Sequence, residues 1–164
     1  MSLVNGLPAH VLFVHFVVVL IPLSALVLVV SALWPRAARR LGLILPVLAF
    51  VTLVTVPLTT QAGEWLERHV DSDPLVRKHA ELGDGLLPWA AGLFLLATAV
   101  WWTTRRAPAP QDSTDRARSG AVVRVAAAVL SVVVAAGAVV DVYRIGDSGA
   151  KAAWHDAFSK TGTR

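Results

Sequence analysis

Residues 11–33 read VLFVHFVVVLIPLSALVLVVSAL, 23 consecutive positions without a charge. A helix of that length measures about 35 Å, enough to cross a bilayer core of about 30 Å. Valine runs such as Val17 to Val19 favour strands in water. In lipid a lone strand leaves its backbone unpaired, so a spanning segment folds as a helix. The alternating polarity of a barrel strand is absent. Nothing basic precedes this segment, and it is too long for the apolar part of a cleaved signal, so it is expected to stay in the mature protein.

Three more segments repeat the pattern. Leu41–Thr60 is 20 residues without a charge, Leu86–Trp102 is 17, and Ala121–Val140 is 20 with one charge, Arg124. The expected fold class is all-α, an integral membrane bundle of four transmembrane helices. The expected helices lie at about 8–34, 41–69, 74–104 and 120–144, in a single domain covering 1–164. A polar loop at 105–119 and a C-terminal tail at 145–164 complete it.

Composition agrees. Of 164 residues, 55% are hydrophobic and 16% charged, against roughly 25% charged in an average soluble domain. That excludes a water-soluble enzyme, a disordered chain and a coiled coil. With no cysteine, disulfides, thiolate zinc, iron–sulfur clusters and covalently attached c-type haem are excluded as well. The net charge of +4 is not a nucleic-acid signal, because no aromatic–basic platform accompanies it. It reads as topology. Arg36, Arg39 and Arg40 follow the first span; Arg105, Arg106, Arg116 and Arg118 follow the third. Arg124 can snorkel toward the same side. Between spans two and three, Glu64, Glu67, Asp71, Asp73, Glu81 and Asp84 outnumber Arg68, Arg77 and Lys78. The positive-inside rule then puts both termini outside the cytoplasm, in a multi-pass protein of the cell inner (cytoplasmic) membrane. Arg144, Lys151, Lys160 and Arg164 run against this at the C-terminal end. Trp34, Trp101 and Trp102 mark the inner interface, and Trp65, Trp89 and Trp154 the outer one.

On the outer side, Glu64 and Arg68 have the spacing of a helical ion pair, as do Asp141 and Arg144. Asp73 can cap a helix that has Pro74 in its first turn. From Pro74 to about Thr104 that helix would be about 46 Å long, with Gly83, Gly85 and Pro88 as places to bend. All five histidines, His10, His15, His69, His79 and His155, map to this outer side. An ionisable residue inside a span usually faces the protein interior, which makes His15 the first candidate, with His79 facing it across the bundle. His10, about 140° around the helix from His15, is the substitute. His69 and the carboxylates Glu64, Glu67 and Glu81 read as a solvated surface, whereas Asp84 and Asp141 lie closer to the bundle. Gly146 and Gly149 permit close backbone approach or an unusual turn.

The stretches Leu7–Phe16, Thr60–Trp65, His79–Gly83 and Ile145–Ala150, with Trp154, resemble an uncharacterised bacterial family of four-helix integral membrane proteins, domain of unknown function 2231. The resemblance covers nearly the whole chain. Val11 and Val17 stand where the family's first motif has prolines, and Asp147 where its last motif often has histidine. The resemblance implies a four-helix inner-membrane protein. Fusions of relatives to Rieske-type domains hint at electron transfer.

The leading functional expectation is a membrane protein with a histidine cluster at its outer face. It would bind haem b or a metal ion for electron transfer. His15, His79 and His10 are the candidate cofactor ligands, and His15 and His79 the candidates for a metal. The alternative is a structural or accessory subunit of a membrane complex without a cofactor. A small transporter or channel is the third reading. No nucleophile–base constellation is legible, so no residue is assigned to catalysis. The expected partners are the lipid bilayer and a membrane protein complex or further copies of the chain.

Overall fold

A computed structural model describes residues 3–4, 7–69, 73–106 and 114–159. Asp71, the loop 107–113 and residues 160–164 lie outside the described residues, as do the side chains of Arg116, Arg118 and His155.

A two-residue strand β1 (Leu3–Val4) pairs antiparallel with β2 (Leu7–Pro8) ahead of the helices. Helix α1 spans Ala9–Leu33. It stops at Trp34, whose backbone is extended (φ −120°, ψ 96°) because Pro35 disfavours a helical residue before it. Pro35 then opens the short helix α2 (Pro35–Leu41), where its missing N–H costs nothing. Gly42 ends α2 with φ 54°, a conformation that side chains other than glycine resist. Helix α3 runs Ile44–Glu67. Asp73 caps α4 (Pro74–Asp84) by accepting from the Leu75 N–H at 2.7 Å, as the Asp-Pro pair predicts. α4 gives way at Gly85 to α5 (Leu86–Arg105), so the expected bend falls there. α6 spans Thr114–Ser159.

The described residues contain four helical stretches long and apolar enough to cross a membrane: Ala9–Leu33, Ile44–Glu67, Pro74–Arg105 and Gly120–Trp154. The last helix differs from its expected span of 120–144. Its 46 residues measure about 69 Å, and residues 145–159 continue it where a tail was expected. Two causes are visible. Asp147 and Lys151 form an ion pair at 2.6 Å one turn apart, and α4 packs along this part of α6.

Each span buries one stripe. On α1 the buried side is Val17, Ile21, Ser24, Ala25, Leu28 and Ser31, while Val19 and Leu26 are each 61% exposed on the opposite side, where lipid is the solvent. Small residues (Ala25, Ala49, Ala90, Ala97, Ala135, Ala138) recur in the core and let backbones approach, as membrane helix packing requires. Between α5 and α6 the Trp89 ring lies directly on Gly137. Near midspan, Ser24 Oγ and Thr52 Oγ1 are 2.7 Å apart. Thr52 donates its proton to the Leu48 carbonyl at 2.9 Å, so Ser24 is the donor between helices. Among the described residues, four buried side-chain polar atoms have no partner: Ser31 Oγ, Trp101 Nε1, Ser131 Oγ and Asp141 Oδ2.

The antiparallel order places His10, the end of α3, α4 and residues 145–154 at one end, here called the histidine end. α2 and the end of α5 form the opposite, arginine end.

Candidate functional site

His10 and His79 face each other at the histidine end. Their ring centroids are 6.1 Å apart and their planes stand at 81°. The sequence explains why His10 reaches this place. His10, Val17, Ser24 and Ser31 recur every seven residues, and the last three are buried in the bundle. His10 continues their stripe.

His15 does not meet His79, contrary to the expected pairing. It stands on the exposed side of α1, about 140° from His10, and its Nδ1 bonds to the Val11 carbonyl of its own helix at 2.6 Å. That local bond satisfies the imidazole without a bundle partner. His69 is exposed, bonded to the Trp65 carbonyl at 2.7 Å and stacked on the Trp65 ring at 4.0 Å.

Each ring of the facing pair is fixed by a carbonyl from another helix. His10 Nδ1 lies 3.0 Å from the Thr59 carbonyl on α3. His79 Nδ1 lies 3.1 Å from the Ile145 carbonyl and 3.0 Å from Ser148 Oγ on α6. Ser148 gives its own proton to the Ile145 carbonyl at 2.8 Å. A carbonyl only accepts, so both imidazoles donate from Nδ1. Each Nε2 then carries the free lone pair. Metal-binding histidines are held in this way, with one ring nitrogen pinned to a carbonyl and the other left for the ligand.

Both rings also rest on glycine. A Cβ built on Gly63 would sit 3.0 Å from Cε1 and Nδ1 of His10; one on Gly149 would sit 2.9 Å from Cε1 of His79. The approach expected of Gly149 is therefore made. Gly146 has nothing within 4 Å of such a Cβ. Thr59, Gly63, Ser148 and the Ile145 carbonyl were not singled out as positioning groups from sequence. Ser148 stands seven residues after Asp141, and that spacing on an inward face was the available signal.

The carboxylates stay apart from the pair. Glu64, Glu81 and Asp84 are exposed, and Glu81 faces Arg77 at 3.8 Å. The expected Glu64–Arg68 and Asp141–Arg144 pairs do not form: the ion pairs among the described residues are Arg77–Glu81 and Lys151–Asp147. Asp141 instead turns inward toward Gly85, with Oδ2 buried, while Arg144 is exposed. Among the described residues no group of three or more histidine, cysteine or acidic side chains is placed to hold a metal. An ion at the pair would take two protein nitrogens and complete its shell from elsewhere.

The stretches that carry the family resemblance thus converge. His10 comes from the first, Gly63 from the second, His79 from the third, and Ile145, Ser148 and Gly149 from the last. No curated protein and no solved structure matches the chain. The family model described as predicted membrane protein (DUF2231) matches residues 6–162, and the chain belongs to that family.

Proposed function

We propose that this membrane protein binds one transition-metal ion between His10 and His79, through Nε2 of each, and uses it for electron transfer. The observation that carries the proposal is the facing pair with both Nδ1 atoms bonded to carbonyls. An imidazole nitrogen binds such ions at about 2.0 Å and lies about 1.1 Å from the ring centre, so two rings on opposite sides of one ion have centroids about 6.2 Å apart. The pair stands at 6.1 Å, a separation that admits one ion once both Nε2 atoms are turned toward it.

The surroundings of the rings favour one of the two cofactor classes expected from sequence. Haem b also takes axial imidazoles, but its macrocycle extends sideways from the iron. Here Gly63 and Gly149 press against the rings, which favours a bare ion. Imidazole donors without thiolates suit copper, iron, nickel and zinc. Copper, redox-active and content with few nitrogen ligands, fits the role best.

We further place the arginine end in the cytoplasm and both termini outside. Arg36, Arg39, Arg40, Arg105 and Arg106 against Glu64, Glu67, Asp73, Glu81 and Asp84 support this. The chain has no cysteine, so single cysteines at Arg39 and Glu64 report orientation directly. A membrane-impermeant maleimide should label Glu64→Cys in intact cells and Arg39→Cys only after permeabilisation. The reverse pattern would invert the topology.

The binding test uses detergent-purified protein. Titration with copper should give one ion per chain, and added haem should give no Soret band. Binding of haem, or of neither, would defeat the proposal. The latter result would favour the accessory-subunit reading.

A further inference from the structure

The arginine end holds a second arrangement, unconnected with the histidine pair. α2 is seven residues long and carries Arg36, Arg39 and Arg40, all exposed, around a buried Ala38. It packs against α5, whose end supplies exposed Arg105 and Arg106. Neither α2 nor α5 contains an acidic residue. Both ion pairs among the described residues lie at the other end.

These arginines stand at headgroup level. Trp34 and Trp102, exposed by 61% and 46%, flank them, and exposed indoles settle at the membrane interface. The Arg106 guanidinium lies 3.7 Å from the centre of the Trp102 ring, and that of Arg105 5.0 Å from the centre of the Trp101 ring. Stacking on an indole holds a guanidinium in place without using its N–H donors. The planar fork of arginine matches the paired oxygens of a phosphate group.

We propose that α2 and the end of α5 form a binding site for the headgroup of an anionic phospholipid. The three arginines of α2 take one phosphate, and Arg105 and Arg106 take another. A lipid carrying two phosphates therefore binds better than one carrying a single phosphate. The source is lipid and not free phosphate, because the fatty chains have the exposed apolar sides of α1 and α3 (Leu33, Leu43, Ile44, Val47) beside the site.

The test is native mass spectrometry on delipidated full-length protein, titrated with cardiolipin, phosphatidylglycerol and phosphatidylcholine, each with and without inorganic phosphate. The expected order of affinity is the order just given, with little effect of inorganic phosphate. Each arginine near a membrane surface is worth about fivefold in binding. The triple variant Arg36→Gln, Arg39→Gln, Arg40→Gln should therefore lose about a hundredfold, and Arg105→Gln with Arg106→Gln about twenty-five-fold. Arg77→Gln at the other end should change nothing. Arg105→Lys with Arg106→Lys keeps the charge and removes the stacked fork, and should still bind several-fold more weakly. Circular dichroism on each variant confirms that the helices remain. Equal binding of all three lipids, full binding by the lysine variant, or displacement of lipid by inorganic phosphate would each overturn the proposal.

Discussion

Replacing Gly149 by alanine sets two terms of opposite sign against each other. The position is inside α6, where alanine is better than glycine by roughly 1 kcal/mol. The new Cβ would lie 2.9 Å from Cε1 and 3.2 Å from Nδ1 of His79, whereas carbon atoms pack comfortably at about 3.5–4.0 Å. The ring must retreat by about 0.6–1 Å. Its Nδ1 bonds to Ile145 and Ser148, now 3.1 and 3.0 Å, then stretch past the useful limit of about 3.2 Å. Losing them costs about 1–2 kcal/mol, which offsets the helix gain. Metal affinity should fall about 10–100-fold, as when the outer partner of a ligating histidine is lost. Gly146→Ala is the control: its Cβ meets nothing within 4 Å, so it should stabilise by roughly 1 kcal/mol and bind normally. Thermal unfolding in detergent and copper titration read the two quantities separately. If both variants are equally stabilised and bind equally well, the placement of His79 on Gly149 is wrong.

Gly137→Ala should destabilise by about 1–3 kcal/mol, because the Trp89 ring occupies the space of the new methyl and overpacking carries that cost; thermal unfolding would show it. Ser24→Ala should cost about 0.6 kcal/mol, the usual worth of a hydrogen bond between membrane helices. Ser131→Ala should be neutral or stabilising, since the hydroxyl it removes is buried without a partner; equal losses in the two serine variants would contradict the assignment of partners. Copper affinity should fall on acidification, because only neutral rings ligate and protons compete with the ion. A pH-independent titration would point to other ligands.

Span lengths and helix breaks were legible because each has a local cause: an uncharged run, Pro35 after Trp34, Asp73 before Pro74. The histidine pair was legible only in part. Axial level put His10, His15 and His79 together, and the cost of an ionisable group in lipid favoured His15. Rotation about the helix decides the matter, and the seven-residue recurrence of His10 with Val17, Ser24 and Ser31 contains it. The support of each ring by a carbonyl and a glycine from another helix depends on how α3 and α6 pack, which no local pattern encodes. The full length of α6 is hidden in the sequence for a related reason. Beyond Val140 its sequence turns polar, and contact with α4, not hydrophobicity, carries the helix onward. Tryptophan shows the same limit: Trp34, Trp102 and Trp154 are exposed as interfacial rings should be, whereas Trp89 and Trp101 pack into the bundle.

In the proposed site one ion is held by His10 and His79. X-ray absorption at the copper edge on the loaded protein tests it most directly. Two imidazole nitrogens at about 2.0 Å are expected, lost in His10→Ala and in His79→Ala and unchanged in His15→Ala. An unchanged spectrum in the first two, or loss of the signal in His15→Ala alone, would contradict it.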